Sequence, residues 1–302
     1  MTTSLRLTVG LLLFYIMLSC ATKERENVII VSVEPQRALL EEIVGDKFRV
    51  ESVLTPGANP ETFEPGMQMR RDMETASAYM TTGFLPFEQK LIDVVGKDMK
   101  IVDTSKGIEP VYGTHGHSHH NQDSHHSHDH NHSHCHGHTH GDIEADPHTW
   151  TSVRNARQIA KNMYEALLEL DSNNGEYYSQ RYMNLINRLD SLDNEFGKKL
   201  QNDSVTRTFA IWHPSLSYLA RDYGLEQLSV GFENKEMAAG ALHDIIVKAK
   251  EKGVKVFFFQ KEYDTRQAET LNKEMGTTLI NINPLDYDWE EQIERIVSAL
   301  CQ

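Results

Sequence analysis

The side chains best suited to chemistry in this chain are its histidines, and they are unevenly placed. Thirteen of the sixteen fall in one run: His115, His117, His119, His120, His125, His126, His128, His130, His132, His134, His136, His138 and His140. Gly, Ser, Asp and Asn are interleaved with them, together with Cys135. A stretch so rich in imidazole and so poor in apolar side chains buries no core. The sequence therefore predicts a solvated loop, 114–141, that holds transition metals loosely through ring nitrogens, with Cys135 as one more soft ligand. An affinity tag or idle linker has the same composition, but this run is internal and is flanked by segments with clear structural periodicity. Unperturbed imidazole titrates at about pH 6.5, so the rings are open at neutral pH and acidification empties the loop.

Three histidines stand apart. His148 follows in Asp146-Pro147-His148-Thr149-Trp150 and His213 lies in Trp212-His213-Pro214, whereas His243 sits inside an amphipathic helical pattern, where a surface or core role is the simpler reading. A tight zinc site needs about four nitrogen, sulfur or carboxylate ligands drawn from distant parts of a chain. His148 and His213 are candidates for two of them if the fold brings their loops together.

The elements that would have to do so can be read from apolar periodicity. Continuous β-branched and apolar runs predict strands at Asn27–Val33, Phe48–Leu54, Ala78–Gly83 and Ile101–Asp103, with helices at Arg37–Gly45, Met67–Ala76 and Phe87–Val95 between them. Two helices follow in succession. Val153, Ala156, Ala160, Met163, Leu167 and Leu170 make one stripe. After a polar break, 171–175, that supplies turn and N-cap residues, Tyr178 to Leu200 make a second. From Glu176 to Leu200 that second helix is ~37 Å long at 1.5 Å per residue. Alternation then resumes, with strands at Arg207–Ile211, Glu226–Val230, Val254–Phe259 and Thr278–Ile282, and helices at Leu216–Arg221, Ala239–Lys252, Thr265–Met275 and Trp289–Leu300.

Strands separated by helices imply right-handed crossovers and parallel sheets. The expected fold is α/β: two similar lobes, 27–172 and 203–302, each a four-stranded parallel sheet flanked by helices, joined by one long helix across 173–202. A single rigid connection predicts small lobe motions, with loops doing the gating. Ligands of open parallel sheets bind beyond the carboxyl ends of the strands. There the chain offers Thr55–Pro65, the segment up to His148, Trp212-His213-Pro214 and Asn283–Asp288, so both His148 and His213 fall in the right loops.

Composition narrows the classes. A net charge of −14 with scattered Lys and Arg argues against nucleic acid and suits a protein that attracts cations. Arg6 precedes an apolar run from Val9 to Leu18, too short to span a bilayer comfortably and ending in Ser19-Cys20. This predicts an export signal over 1–20, with Cys20 as the lipid-bearing residue after cleavage at a bacterial lipobox. The expected address is then extracytoplasmic, periplasmic or at the cell surface, tethered to a membrane through Cys20.

Four stretches in order carry a resemblance: Thr55-Pro56-Gly57-Ala58-Asn59-Pro60-Glu61-Thr62-Phe63-Glu64-Pro65, Asp146-Pro147-His148-Thr149-Trp150, Trp212-His213-Pro214 with Tyr223-Gly224-Leu225, and Ile282-Asn283-Pro284-Leu285. They resemble the successive motifs of the metal-binding solute-binding lipoproteins that serve ABC transporters, and the His-rich acidic loop resembles the zinc members rather than the manganese members. The resemblance implies one zinc ion held between two α/β lobes, delivery to a membrane permease driven by a cytoplasmic ATPase, and a monomeric, non-enzymatic protein. It also implies metal ligands at Glu61, His148, His213 and Asn283. The family usually has histidine where Glu61 stands and aspartate where Asn283 stands, so Asp286, Glu64, water or the His-rich loop are further candidates for the last place. Rival classes are a metal-storage or adhesion lipoprotein, and a zinc hydrolase, which the absence of an HExxH pattern disfavours.

Overall fold

In the computed structural model the described residues are 27–95, 99–112, 145–231, 239–260, 263 and 265–302. The expected export segment with Cys20 and the His-rich loop lie outside them.

The first sheet is formed by β1 (Val28–Val31), β2 (Arg49–Ser52), β3 (Ala78–Thr81) and β4 (Lys100–Asp103), all parallel in the order β2-β1-β3-β4. The second repeats the plan with β5 (Thr208–Ile211), β6 (Glu226–Ser229), β7 (Val256–Gln260) and β8 (Thr278–Ile282) in the order β6-β5-β7-β8. Inner strands β1, β3, β5 and β7 are buried along their whole length, while the edge strands are mostly half-buried or exposed. That is why the inner strands read as continuous apolar runs: helices cover both sheet faces. The connecting helices are α1 (Glu34–Val44), α2 (Met67–Met73) and α3 (Pro86–Ile92) in the first lobe. In the second they are α6 (Ser217–Tyr223), α7 (Ala239–Glu251), α8 (Thr265–Met275) and α9 (Trp289–Leu300). In the first sheet β1, β2 and β3 are two or three residues shorter than their apolar runs, because the ends of those runs turn into the loops that leave the sheet, whereas the strands of the second sheet match theirs in length to within one residue.

Between the lobes run α4 (Val153–Leu170) and the long α5 (Gly175–Leu200). Ser152 caps α4 by accepting from the Asn155 amide. The polar break before α5 works differently from the expected N-cap. It forms a short 3-10 turn, Ser172–Asn174, in which the Asp171 carboxylate accepts from Asn174 Nδ2 and from the Tyr178 hydroxyl, both at 2.7 Å, and no side chain caps the helix. Tyr178, Leu185, Leu189, Leu192, Phe196 and Leu200 form the buried seam of α5, and Tyr164 of α4 stacks on Tyr182 at 4.5 Å.

The lobes are not independently cored. One apolar cluster runs from Ile29 and Tyr79 through Trp150, Met163 and Leu189 to Phe209, Phe258 and Trp289, while a smaller cluster around Phe257, Phe259 and Leu271 lies on the far face of the second sheet. Polar stitches cross the same seam. Arg188 of α5 pairs with Glu42 of α1 and Glu290 of α9, Trp150 Nε1 donates to the Pro284 carbonyl at 2.8 Å, and Ser152 bonds Asp222. Separating the lobes would expose this shared core, so the two sheets are held at fixed distance and the loops at their carboxyl ends face one another. Among the described residues no helix is long and apolar enough to cross a membrane.

Candidate metal centre

Three of the loops named from the sequence converge, and each delivers one ligand-type side chain that a polar neighbour orients. Glu61 is presented from the turn after β2, where Gly57 takes φ +82° and the Ala58 amide donates to the Thr55 carbonyl at 3.1 Å. Asn59 Oδ1 accepts from the Glu61 amide at 2.8 Å and fixes the backbone of that ligand. His148 enters on the 3-10 turn that begins at Thr149. There Asp146 Oδ1 accepts from the His148 amide and pairs with its Nδ1, each at 2.8 Å, while the Thr151 hydroxyl bonds the His148 carbonyl. His213 follows β5, and buried Gln260 at the end of β7 clamps its peptide: Oε1 accepts from the His213 amide at 3.3 Å and Nε2 donates to its carbonyl at 2.9 Å.

Glu61, His148 and His213 each bring a ligand atom within 4.8 Å of the others. His213 Nε2 lies 3.4 Å from His148 Nε2 and 3.4 Å from Glu61 Oε1. Those spacings are long for a strong hydrogen bond. They match the edge of a tetrahedron whose vertices sit about 2.0–2.1 Å from a central zinc ion, which is about 3.3–3.4 Å. The donor set fits the ion chemically as well: two borderline imidazoles and one carboxylate. His148 is 3% exposed at its side chain, whereas Glu61 and His213 keep 16% and 11%, so the cluster opens towards solvent on their side.

Electrostatics favour a cation here. Burial pushes the Asp146 carboxyl up, but the charge of His148 and hydrogen bonds from His148 and Ser217 outweigh it and hold Asp146 below the usual carboxylate range. Asp146 is thus an anion that keeps the proton of His148 on Nδ1 and turns the Nε2 lone pair towards His213 and Glu61. Trp150 meets the His148 ring edge-on at 5.3 Å, and Trp212 packs on Phe257 and Phe259.

The last loop holds Asn283 and Asp286, the two candidates for the remaining place. Asp286 lies outside the three-residue group because its carboxylate closes the turn after β8: Oδ2 accepts from Asn283 Nδ2 at 2.9 Å and Oδ1 from the Asp288 amide at 3.2 Å. Asn283 itself is tied by Gln292 Oε1, which accepts from its amide, and by the Leu285 amide, which donates to its Oδ1. Both residues line an adjoining groove of about 560 Å³ with Arg37, Thr55–Ala58 and Tyr287. Glu64 faces outward and pairs with Lys90, and His243 lies on α7.

Sequence reasoning did not single out Asp146, Asn59, Gln260 or Gly231 for the site. An aspartate two residues before a ligand histidine is a readable signal, since its side chain reaches the backbone two residues on. Gln260 and Gly231 gave none: they matter only because β5, β6 and β7 lie side by side. Gly231 donates its amide to the Trp212 carbonyl at 3.0 Å, and a Cβ there would sit 2.8 Å from that carbonyl oxygen and from the indole.

Two parallel-sheet lobes locked by a long helix, with a nitrogen–oxygen donor cluster between their loops, define a two-lobed binding-protein architecture. The sequence profile for the periplasmic component A of zinc-uptake complexes matches residues 29–299, and the chain belongs to that family. It is 28% identical over 267 residues to the high-affinity zinc uptake system protein ZnuA of Bacillus subtilis, covering 85% of this chain and 78% of that one. It is 25% identical over 262 residues to the zinc-binding protein AdcA of Streptococcus pyogenes, covering 83% of this chain and 49% of that one, so it spans about half the length of that relative. The crystal structure of a ZnuA superposes with a TM-score of 0.77 at 28% identity, covering 92% of this chain and 98% of the other. A zinc-bound deletion mutant of ZnuA gives 0.76 at the same identity, covering 92% and 97%.

Proposed function

We propose that this chain is the extracytoplasmic receptor of a zinc ABC transporter, taking up one zinc ion as cargo between its lobes (27–172 and 203–302, with 173–202 as the linking helix) and passing it to a membrane permease powered by a cytoplasmic ATPase. The observation that carries the reading is the 3.4 Å spacing of His213 Nε2 from both His148 Nε2 and Glu61 Oε1, the edge length of a zinc tetrahedron. In this reading Glu61, His148 and His213 are the protein ligands. Water takes the fourth vertex, with Asn283 and Asp286 as polar neighbours in the adjoining groove. Names of relatives that mention zinc uptake and zinc binding support the same cargo.

A three-ligand site with an open vertex also occurs in zinc hydrolases. The transport reading is favoured because Asp146, the buried carboxylate beside the cluster, is committed to orienting His148, and the relatives are transport components. The His-rich loop raises the local zinc concentration and feeds the tight site, with tethering through Cys20 keeping both near the permease. The described residues on either side of that segment pair with each other, Tyr112 bridging Ala145 and the Asp146 amide donating to the Val111 carbonyl at 2.7 Å, two residues from His148.

Zinc titration of the metal-free chain against a competing chelator tests this. The wild type is expected to show one tight site and several weak ones. His148→Ala should lose the tight site, and deletion of residues 115–140 should lose only the weak ones. A tight site that survives His148→Ala, or disappears with the loop, refutes the assignment.

A further inference from the structure

Because the lobes share one core and are stitched by Arg188, Trp150 and Ser152, metal exchange has to proceed by loop movement at the open side of the cluster. On that side Asn59 Nδ2, from the first lobe, donates to the Tyr263 hydroxyl, from the second, at 3.3 Å. Both residues also touch the two ligands that retain solvent exposure. Asn59 Oδ1 holds the Glu61 amide at 2.8 Å, and the Tyr263 ring stacks on His213 with centroids 5.6 Å apart and planes 24° apart. Asp146 and Gln260 pin His148 and His213 through their backbones. The turn that carries Glu61, by contrast, has an exposed tip at Thr55, Pro56 and Gly57, and its side-chain hydrogen bond to the second lobe runs through Asn59.

We propose that Asn59 and Tyr263 form an interlobe latch across the mouth of the metal cluster, which sets how fast the cargo leaves. The inference rests on the zinc-receptor reading above and adds the element that gates it. Swinging Glu61 away from His213 carries Asn59 with it, because the two are hydrogen-bonded, and so must break the Asn59–Tyr263 bond. The His213 ring stays in place under Tyr263, so release begins with loss of the carboxylate, the one ligand carried on the turn with an exposed tip. The latch is therefore a positioning pair that neither coordinates the ion nor contributes to the shared core.

The test uses the full chain loaded with one equivalent of zinc and mixed rapidly with an excess of a chromophoric chelator. Tyr263→Phe keeps the ring over His213 and removes the hydroxyl. It is expected to speed zinc release about two- to tenfold, the rate equivalent of one uncharged hydrogen bond, while leaving the melting temperature of the metal-free protein unchanged. Asn59→Asp still accepts from the Glu61 amide and can accept from the Tyr263 hydroxyl, so its release should be no faster than wild type. An unchanged rate in Tyr263→Phe overturns the latch, as does an equal loss of stability with and without zinc, which would mark a merely structural role. His148→Ala run alongside separates the two ideas. Loss of tight binding there with no effect of Tyr263→Phe sinks the latch alone, whereas tight binding retained there sinks the receptor reading and the latch with it.

Discussion

Replacing Asp146 by asparagine changes almost nothing except charge, which makes it the sharpest probe of the site. Asp146 Oδ1 accepts from both the His148 amide and Nδ1 at 2.8 Å; an asparagine Oδ1 in the same place keeps both bonds, and Ser217 can reverse its hydroxyl to meet the new amide. What disappears is one negative charge. With Nδ1 2.8 Å from the carboxylate, the imidazole between them and a zinc–nitrogen bond of about 2.0 Å, the charge sits roughly 6–7 Å from a bound ion. The attraction between −1 and +2 at that distance is about 5 kcal/mol at an effective dielectric constant near 20 and about 1 kcal/mol in bulk water. Outer-shell partners of ligand histidines typically change metal affinity about 10- to 100-fold, or roughly 1.4–2.8 kcal/mol, which falls between those limits. The expected result of chelator competition at neutral pH is a zinc affinity about 30-fold weaker than wild type. A change smaller than threefold would refute the claim that Asp146 tunes the site. A loss as complete as that of His148→Ala would show instead that the turn had collapsed.

The same residue sets a pH dependence. Its carboxyl is held below its ordinary value in the folded chain, so its contribution to stability is present above the unfolded value of about 3.9 and is lost as pH falls through the lower folded value. Acid unfolding of the metal-free Asp146→Asn variant should therefore lack that step. Glu61→His should bind zinc more tightly than wild type and release it more slowly, because imidazole replaces a carboxylate at the exposed vertex; weaker binding in the same titration would count against Glu61 as a ligand. Gly231→Ala forces a Cβ against the Trp212 carbonyl and indole. It should cost about 1–3 kcal/mol in denaturant unfolding and weaken zinc binding through the adjoining His213; wild-type tryptophan emission and stability would contradict this. Glu88→Ala should leave the amides of Thr82, Gly83 and Leu85 without the buried carboxylate they donate to at 2.6–3.2 Å. It should lower stability by about 3 kcal/mol, with zinc affinity per folded molecule unchanged.

The amino-acid order by itself determined the two-lobe α/β plan, because helix and strand periods are local and parallel strands joined through helices leave few topologies. Apolar runs such as VIIV at Val28–Val31 and VFFFQ at Val256–Gln260 could only be inner strands covered on both faces. It also placed His148 and His213 on loops at the carboxyl ends of strands, and, through its likeness to a family, put Glu61 beside them. Tertiary structure alone decided the rest, since it depends on distances between segments far apart along the chain. It spaced the Nε2 atoms of His148 and His213, which are 65 residues apart, at 3.4 Å. It turned Asp286 onto Asn283 rather than onto the cluster. It also gave the oriented ligands their supports: Gln260 reaches His213 across 47 residues, and Asn59 meets Tyr263 across 204. A side chain's capacity to coordinate is written in its chemistry, but its spacing from its partners is set only when the shared core holds both sheets in place.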